Sequence, residues 1–228
     1  MVDPRPALKA IRARAPRALH VAEREVSRRF GDWRFGFPRE AADNIPLDTV
    51  GLGAETRVGH EPSPWFILPR ILGREEVGPE DVFVDIGAGM GRVVLEAARL
   101  YPFKRVVGVE LSEEFARVAR TVIEKNRHRL RCKQVDIVCA DARDYRVDDD
   151  VTVVYLYNPF LGEVFAAAVQ SILASVDRRP RRLRLIYFNP EEHGQLVATG
   201  RFRQVRNGRR IVRRWRRTDR LRLYEVVP

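Results

Sequence analysis

The sequence predicts a doubly wound α/β fold, a mostly parallel sheet with helices on both faces, from three observations. Short apolar runs alternate with segments of helical period from residue 82 to residue 199. A glycine turn, Gly87-Ala88-Gly89-Met90-Gly91, joins the first apolar run to the first helical pattern. The second run, Val106-Val107-Gly108-Val109, closes on Glu110, 19 residues after Gly91. Strand, glycine turn, helix and a second strand ending in a carboxylate describe a nucleoside-binding site at the carboxyl ends of a parallel sheet.

The elements follow in order. Leu8, Ile11, Ala15, Leu19, Ala22, Val26 and Phe30 recur at three- and four-residue steps, which predicts one apolar helical face from Ala7 to Phe30, kinked or restarted at Pro16. Arginines fill much of the rest, but Glu23 and Glu25 argue against a membrane-surface helix or a transit peptide, so packing on the main domain is the expected use. Residues 31–69 interleave Trp33, Phe35, Phe37, Trp65 and Phe66 with Gly and Pro; rings in an irregular segment need burial, and a cap over a ligand mouth is one place for it. The chain therefore divides into a helical and cap extension, 1–69, and a main domain, 70–228. Strands are predicted at Val82 to Ile86, Arg105 to Glu110, Ile137 to Ala140, Val151 to Tyr157, Leu183 to Phe188 and Leu221 to Val227. Helices are predicted near Arg92 to Leu100, Glu113 to His128, Gly162 to Val176 and Pro190 to Thr199. Asp148, Asp149 and Asp150 read as a solvated turn.

Composition bounds the function. At 228 residues and 45% hydrophobic, the chain is long enough for one substantial core. No run of eighteen apolar residues and no apolar signal core is present, so a membrane role is not expected and the cytoplasm is. Cys132 and Cys139 lack metal-type spacing and read as reduced thiols, and no metal site is expected. The net charge is +11; of 42 Lys and Arg residues only four are lysine. Eleven arginines crowd Arg201 to Arg222 against Asp219 alone. That stretch can attract polyanions, including nucleic acid. It can equally be an edge hairpin turning at Asn207-Gly208 and guarded by charge.

The ligand is suggested by the spacing. Gly87, Gly89 and Gly91 follow GxGxG, whereas the dinucleotide fingerprint needs its third glycine where Arg92 stands, which disfavours a nicotinamide or flavin enzyme. Asp85 can hold an ammonium or orient the glycine loop, and Glu110 can accept both hydroxyls of a ribose. These residues suit an amino-acid-tailed nucleoside better than a pyrophosphate.

On these residues the chain resembles the class I S-adenosylmethionine (SAM) dependent methyltransferases. Asp85 to Gly91, Ala88 included, is similar to their first motif, Glu110 to their acidic residue after the second strand, and Cys139-Ala140-Asp141-Ala142 to their adenine-contacting segment, which implies SAM as cofactor with Asp141 and Ala142 in its site. The resemblance spans roughly Val82 to Val227 and implies a seven-stranded sheet whose last strand is antiparallel. His60-Glu61-Pro62-Ser63-Pro64-Trp65 resembles a Tyr-x-Pro-Thr/Ser-Pro element found before the first motif in a bacterial methyltransferase group and in some seven-strand protein-lysine methyltransferases, with His60 in the tyrosine's place. Glu61 can take a proton and His60 can relay one; Ser63 as N-cap with Pro64 at the first helical position is the structural alternative.

Tyr157-Asn158-Pro159-Phe160 closes the fourth strand and partly resembles the Asn/Asp-Pro-Pro-Tyr/Phe motif of amino-directed methyltransferases. Asn158, which also borders the cofactor, would orient an amine, with Tyr157, Pro159 and Phe160 around it. The same dipeptide recurs at Asn189-Pro190, and an N-cap followed by proline at the first helical position would explain both. The expected function is methyl transfer to an amine nitrogen, a protein lysine or other amine first, a nucleic-acid base second and a small-molecule oxygen third. A noncatalytic polyanion-binding protein on the same scaffold is the rival.

Overall fold

A computed structural model describes residues 29–42, 61–157, 160–208 and 220–227. Strands β1 (Val82–Ile86), β2 (Arg105–Glu110), β3 (Gln134–Cys139), β4 (Val153–Tyr157), β5 (Arg184–Phe188), β6 (Phe202–Asn207) and β7 (Leu221–Val226) form one sheet. Its order is β3-β2-β1-β4-β5-β7-β6. The first five strands are parallel and β7 is antiparallel to both β5 and β6. This is the predicted α/β class, with seven strands and an antiparallel last strand. The chain winds outward from β1 to β3, then crosses back to lay β4 on the other side of β1, aligning Tyr155 with Asp85. Where the winding reverses, neighbouring connections leave in opposite directions and a crevice opens at the strand ends.

All five residues of β1 are buried, as are those of β5, because helices cover both faces of a parallel sheet and leave no side for water. One face packs against α1 (residues 29–35), α2 (Arg92–Leu100) and α3 (Glu113–Lys125), where Phe83, Val106, Tyr155 and Ile186 meet Val94, Phe115 and Val122. Phe35, Phe37, Trp65 and Ile67 of the first seventy residues belong to this same core. The other face packs against α4 (Gly162–Arg178) and α5 (His193–Ala198), with Val84, Val109, Leu156 and Tyr187 meeting Phe165, Ile172 and Leu196. Helix α3 starts at Ser112, whose Oγ accepts from Phe115 N, with Glu113 and Glu114 in the first turn to complement the helix dipole. It ends at Asn126, whose side-chain amide donates to Val122 O and Phe35 O, so the helix terminus is also the anchor for α1.

Several local expectations need correction. Residues 7–28 of the predicted first helix lie outside the described residues; what is described, α1, runs on past Phe30 through residue 35. Ser63 caps no helix: residues 61–64 are irregular, a turn and a 3-10 turn at Leu68–Arg70 follow, and the serine hydroxyl bonds a side chain instead. Asn189-Pro190 caps no helix, since α5 takes Glu192 as its N-cap; Asn158-Pro159 lies outside the described residues, and α4 takes Leu161 as its N-cap. Asn207-Gly208 is not a two-residue hairpin turn, because Asn207 pairs with Arg222 and the connection passes through residues outside the described set. The acidic run is not simply solvated: Arg105 bridges Asp148 and Asp150, and Arg178 holds Asp149, at the amino end of the sheet.

Gly91 fixes how the glycine turn enters α2. Its φ is +83°, and a Cβ there would lie 2.8 Å from Ala119 Cβ of α3, so both backbone conformation and helix approach require glycine. Gly91→Ala is expected to cost about 1–2 kcal/mol from the left-handed backbone alone, with the Ala119 clash in addition. A fall in the urea midpoint at unchanged m-value would measure it.

Candidate active site

The crevice is built from the ends of β1 and β2. Gly87, Gly89 and Gly91 all have positive φ, so the loop between β1 and α2 turns back on itself in a way open to residues without a Cβ. Gly87 N and Ala88 N both donate to Val109 O at 2.9 Å, which stitches the loop to β2. Gly89 N donates to Glu110 Oε2 at 2.7 Å, and the other carboxylate oxygen accepts from Ser112 N at 2.9 Å. The acid that ends β2 thus holds both the glycine loop and the start of α3. Burial raises the Glu110 pKa, opposed by the N–H groups of Ser112, Gly89 and Leu111.

Asp85 is 3% exposed, and among the described residues its carboxyl accepts no hydrogen bond and makes no ion pair. Burial pushes its pKa well above the usual carboxylate range, and the nearby charge of Glu110 pushes it further. Two buried carboxyls thus face a crevice without a cation. That is the acceptor set for a ligand bringing both an ammonium and ribose hydroxyls, so the residues fit an adenosyl amino-acid cofactor. After β3, Asp141 is half-buried and tied to Arg143 by an ion pair of 2.7 Å and by Arg143 N at 2.9 Å. Its own carbonyl accepts from Asp144 N and Tyr145 N, which places Asp141-Ala142 in a fixed turn next to Glu110, whose carbonyl accepts from Ala140 N.

On the β4 side, Tyr157 is half-buried with its ring 4.4 Å from that of Phe188, its register partner on β5. The two residues that precede the two Asn-Pro dipeptides therefore lie side by side at the sheet end. Phe160 is 4% exposed and packed in the α4 face of the core. Asn158, Pro159 and His60 lie outside the described residues. Glu61 is exposed, whereas Pro62, Ser63, Pro64 and Trp65 behind it are buried.

Sequence reasoning missed what holds that segment. Arg92, the first residue of α2, is 5% exposed and donates to Ser63 O at 2.5 Å, Asp32 Oδ2 at 2.6 Å and Ala41 O at 3.0 Å, with its guanidinium 5.5 Å from the Trp65 ring. Trp65 Nε1 donates to Asp32 Oδ1, which closes the network. One turn on, Glu96 accepts from Phe66 N at 2.5 Å and Leu68 N at 2.8 Å. Phe66 has φ +58°, which lets successive N–H groups face one carboxylate. Ser63 Oγ and Tyr155 OH lie 2.9 Å apart, joining the segment to β4. Arg92 and Glu96 sit four apart at a helix start, the pattern of a solvated ion pair, so nothing in the sequence marked them as buried.

Comparison with known proteins agrees with this geometry. Residues 83–180 match the family model of a methyltransferase domain. A protein-lysine N-methyltransferase of Saccharolobus islandicus (strain REY15A) is 38% identical over 69 residues, 30% of this chain and 43% of that one. A histone-lysine N-methyltransferase of Drosophila melanogaster, specific for lysine 79 of H3, is 38% identical over 53 residues, 23% of this chain and 3% of that one. The match thus spans less than half the length of either relative. Among solved structures, an RNA methyltransferase from Salinibacter ruber in complex with S-adenosyl-L-homocysteine is similar with a TM-score of 0.47 at 20% identity, over 74% of this chain and 97% of that one.

Two outcomes are expected. Asp32→Asn, which leaves the buried Arg92 charge short of its counter-ion, should cost about 3–5 kcal/mol of unfolding free energy, read by denaturant titration. Burial raises Glu96 from 4.5 to about 7, against the N–H groups of Leu68, Phe66 and Ile67 and the charge of Arg70. A carboxyl whose folded pKa is raised contributes stability that is complete below pH 4.5 and lost as pH rises through 7, on the order of 3 kcal/mol in total. Glu96→Gln should flatten that part of the stability profile.

Proposed function

The chain belongs to the class I SAM-dependent methyltransferases, and from that premise we propose that it methylates an amine nitrogen, with a protein lysine as the preferred acceptor. The observation that carries the acceptor reading is the 38% identity over 69 residues to a protein-lysine N-methyltransferase. It is supported by the place of Asn158 in the sequence, directly after β4, and by its partial resemblance with Pro159 and Phe160 to the motif of amino-directed methyltransferases. Residues 1–69 act as a cap on the catalytic domain of residues 70–228, and the reaction is intracellular.

When bound, SAM supplies an electrophilic methyl on a sulfonium. Asp85 accepts hydrogen bonds from an ammonium, which favours its ionised form against the burial and the Glu110 charge that otherwise oppose it. Glu110 accepts from ribose hydroxyls, while Asp141 and Ala142 border the adenine. The glycine loop, with Gly87, Ala88, Gly89 and Gly91, presents bare main chain to the ligand.

On the acceptor side, Asn158 accepts from an amine N–H and so aims the nitrogen lone pair, with Tyr157, Pro159 and Phe160 around it. Glu61, exposed in front of the buried Pro62 to Trp65 stretch, takes the proton that an ammonium acceptor must lose, and His60 relays it. In-line displacement needs the two reacting atoms held at about 3–3.5 Å, so alignment accounts for much of the rate.

Incubating the protein with radiolabelled SAM and a host lysate, then digesting in parallel with protease and nuclease, tests the reading. Label released by protease and retained after nuclease is expected. Asn158→Ala should lower turnover by about tenfold, the worth of one aligned hydrogen bond. Asp85→Asn should abolish S-adenosyl-L-homocysteine binding by calorimetry. Nuclease-sensitive label would move the acceptor to a nucleic-acid base, and unchanged turnover in both Asn158→Ala and Glu61→Ala would remove these residues from the mechanism.

A further inference from the structure

Away from the glycine loop, three cations crowd one ring. Arg34 of α1, Arg99 in the last turn of α2 and Arg129 in the 3-10 turn Arg127–Arg129 after α3 place their Cζ atoms 5.9, 4.2 and 5.9 Å from the centroid of Phe35. Several other described arginines, Arg105, Arg178, Arg182, Arg201, Arg203 and Arg206, each hold a carboxylate. Among the described residues, the guanidinium groups of Arg34, Arg99 and Arg129 have neither a hydrogen bond nor an ion pair, and Arg99 Nε is buried with no acceptor. Burial and the like charges of Arg129 and Arg34 press the Arg99 pKa below its usual range. Glu96, the acid that acts on Arg99, has its oxygens committed to the backbone of residues 66–68.

Cations gathered without a counter-ion are costly in the free protein, and an anion that bridges them relieves the cost. A guanidinium trio fits the oxygens of a phosphate. Beside Arg34 on α1, Trp33 is 74% and Phe30 63% exposed, with ring centroids 5.9 Å apart. Exposed rings next to a phosphate-sized cation cluster are the parts from which single-strand binding surfaces are made, the rings stacking bases and the cations tracking the backbone. The described arginines of β6, in contrast, each have a carboxylate partner, Glu225 for Arg203 and Glu76 for Arg206.

We propose that Arg34, Arg99 and Arg129 hold the backbone phosphates of a single-stranded nucleic acid whose bases stack on Trp33 and Phe30. The surface uses no residue of the cofactor crevice, so its function and that of methyl transfer stand or fall separately.

The test is fluorescence anisotropy with a fluorescein-labelled oligouridylate of about 20 nucleotides, several times the site size of one single-strand binding module, titrated at several salt concentrations. The combined Arg34→Gln, Arg99→Gln and Arg129→Gln variant should weaken binding at least tenfold and flatten the plot of log K against log salt by about 2, since each phosphate contact on a single strand contributes about 0.7. Trp33→Ala should weaken binding with the slope retained, because stacking releases no counter-ions. Arg203→Gln, a cation already paired with Glu225, should change neither. Arg34 is exposed, so Arg34→Gln alone, expected to flatten the slope by about 0.7, serves if the combined variant unfolds. An unchanged slope in these variants, or no oligonucleotide binding by the wild type, overturns the proposal. So does inorganic phosphate that displaces the oligonucleotide at micromolar concentration, which would make the site one for a free phosphate. S-adenosyl-L-homocysteine affinity, measured alongside, reports on the crevice alone.

Discussion

The contact between Arg92 and Asp32 is the constraint on which the rest of this architecture depends. A guanidinium and a carboxylate, both nearly inaccessible and 2.6 Å apart, lie at the first residue of the helix that follows the glycine loop. Burying a charge is tolerated when it is paired and further hydrogen bonds support it, and here Nη1 reaches Ser63 O and Nη2 reaches Ala41 O. One side chain therefore ties three separate pieces of the first seventy residues to the loop that forms the cofactor crevice. It also occupies the position where a dinucleotide site would need glycine, so the feature that disfavours one cofactor class is the one that attaches these earlier segments.

The crevice is arranged by the same economy of groups. Glu110 accepts from Gly89 N and Ser112 N, one on each oxygen, while Asp85 is buried without a partner among the described residues and its pKa is raised by burial and by the Glu110 charge. A pocket with one committed and one uncommitted carboxyl is electrostatically incomplete, and a ligand with an ammonium completes it. Tyr155, aligned with Asp85 across β1 and β4, bonds Ser63 and so connects the crevice to the segment that carries Glu61.

Arginine does three kinds of work in this molecule. At the amino end of the sheet Arg105 and Arg178 bind the acidic run Asp148 to Asp150, and Arg181 collects the carbonyls of Val151 and Ser175 at the end of α4. At the β6 edge, arginines are matched to carboxylates and keep an exposed strand from pairing with other chains. Around Phe35 they are matched to nothing described. A net charge of +11 by itself distinguished none of these uses.

What the sequence determined by itself was the order of elements and the glycine turn beside Glu110, because both are local. Apolar runs of strand length, a glycine turn that must reach positive φ, and an acid closing the second strand are read from neighbours along the chain, and Gly87 to Gly91 and Glu110 lie together as their spacing requires. What only the tertiary structure decided was every contact made across long separations. Ser63 resembled a helix cap until Tyr155, 92 residues away, took its hydroxyl, and Asn189 resembled another until its backbone proved left-handed at φ +52°. Arg92 and Glu96 carried no mark of burial, yet one holds Asp32, 60 residues upstream, and the other holds the backbone of Phe66 and Leu68. The physical reason is that periodicity encodes which face of an element is apolar, whereas the partner of a buried charge is set by which distant segment folds over it.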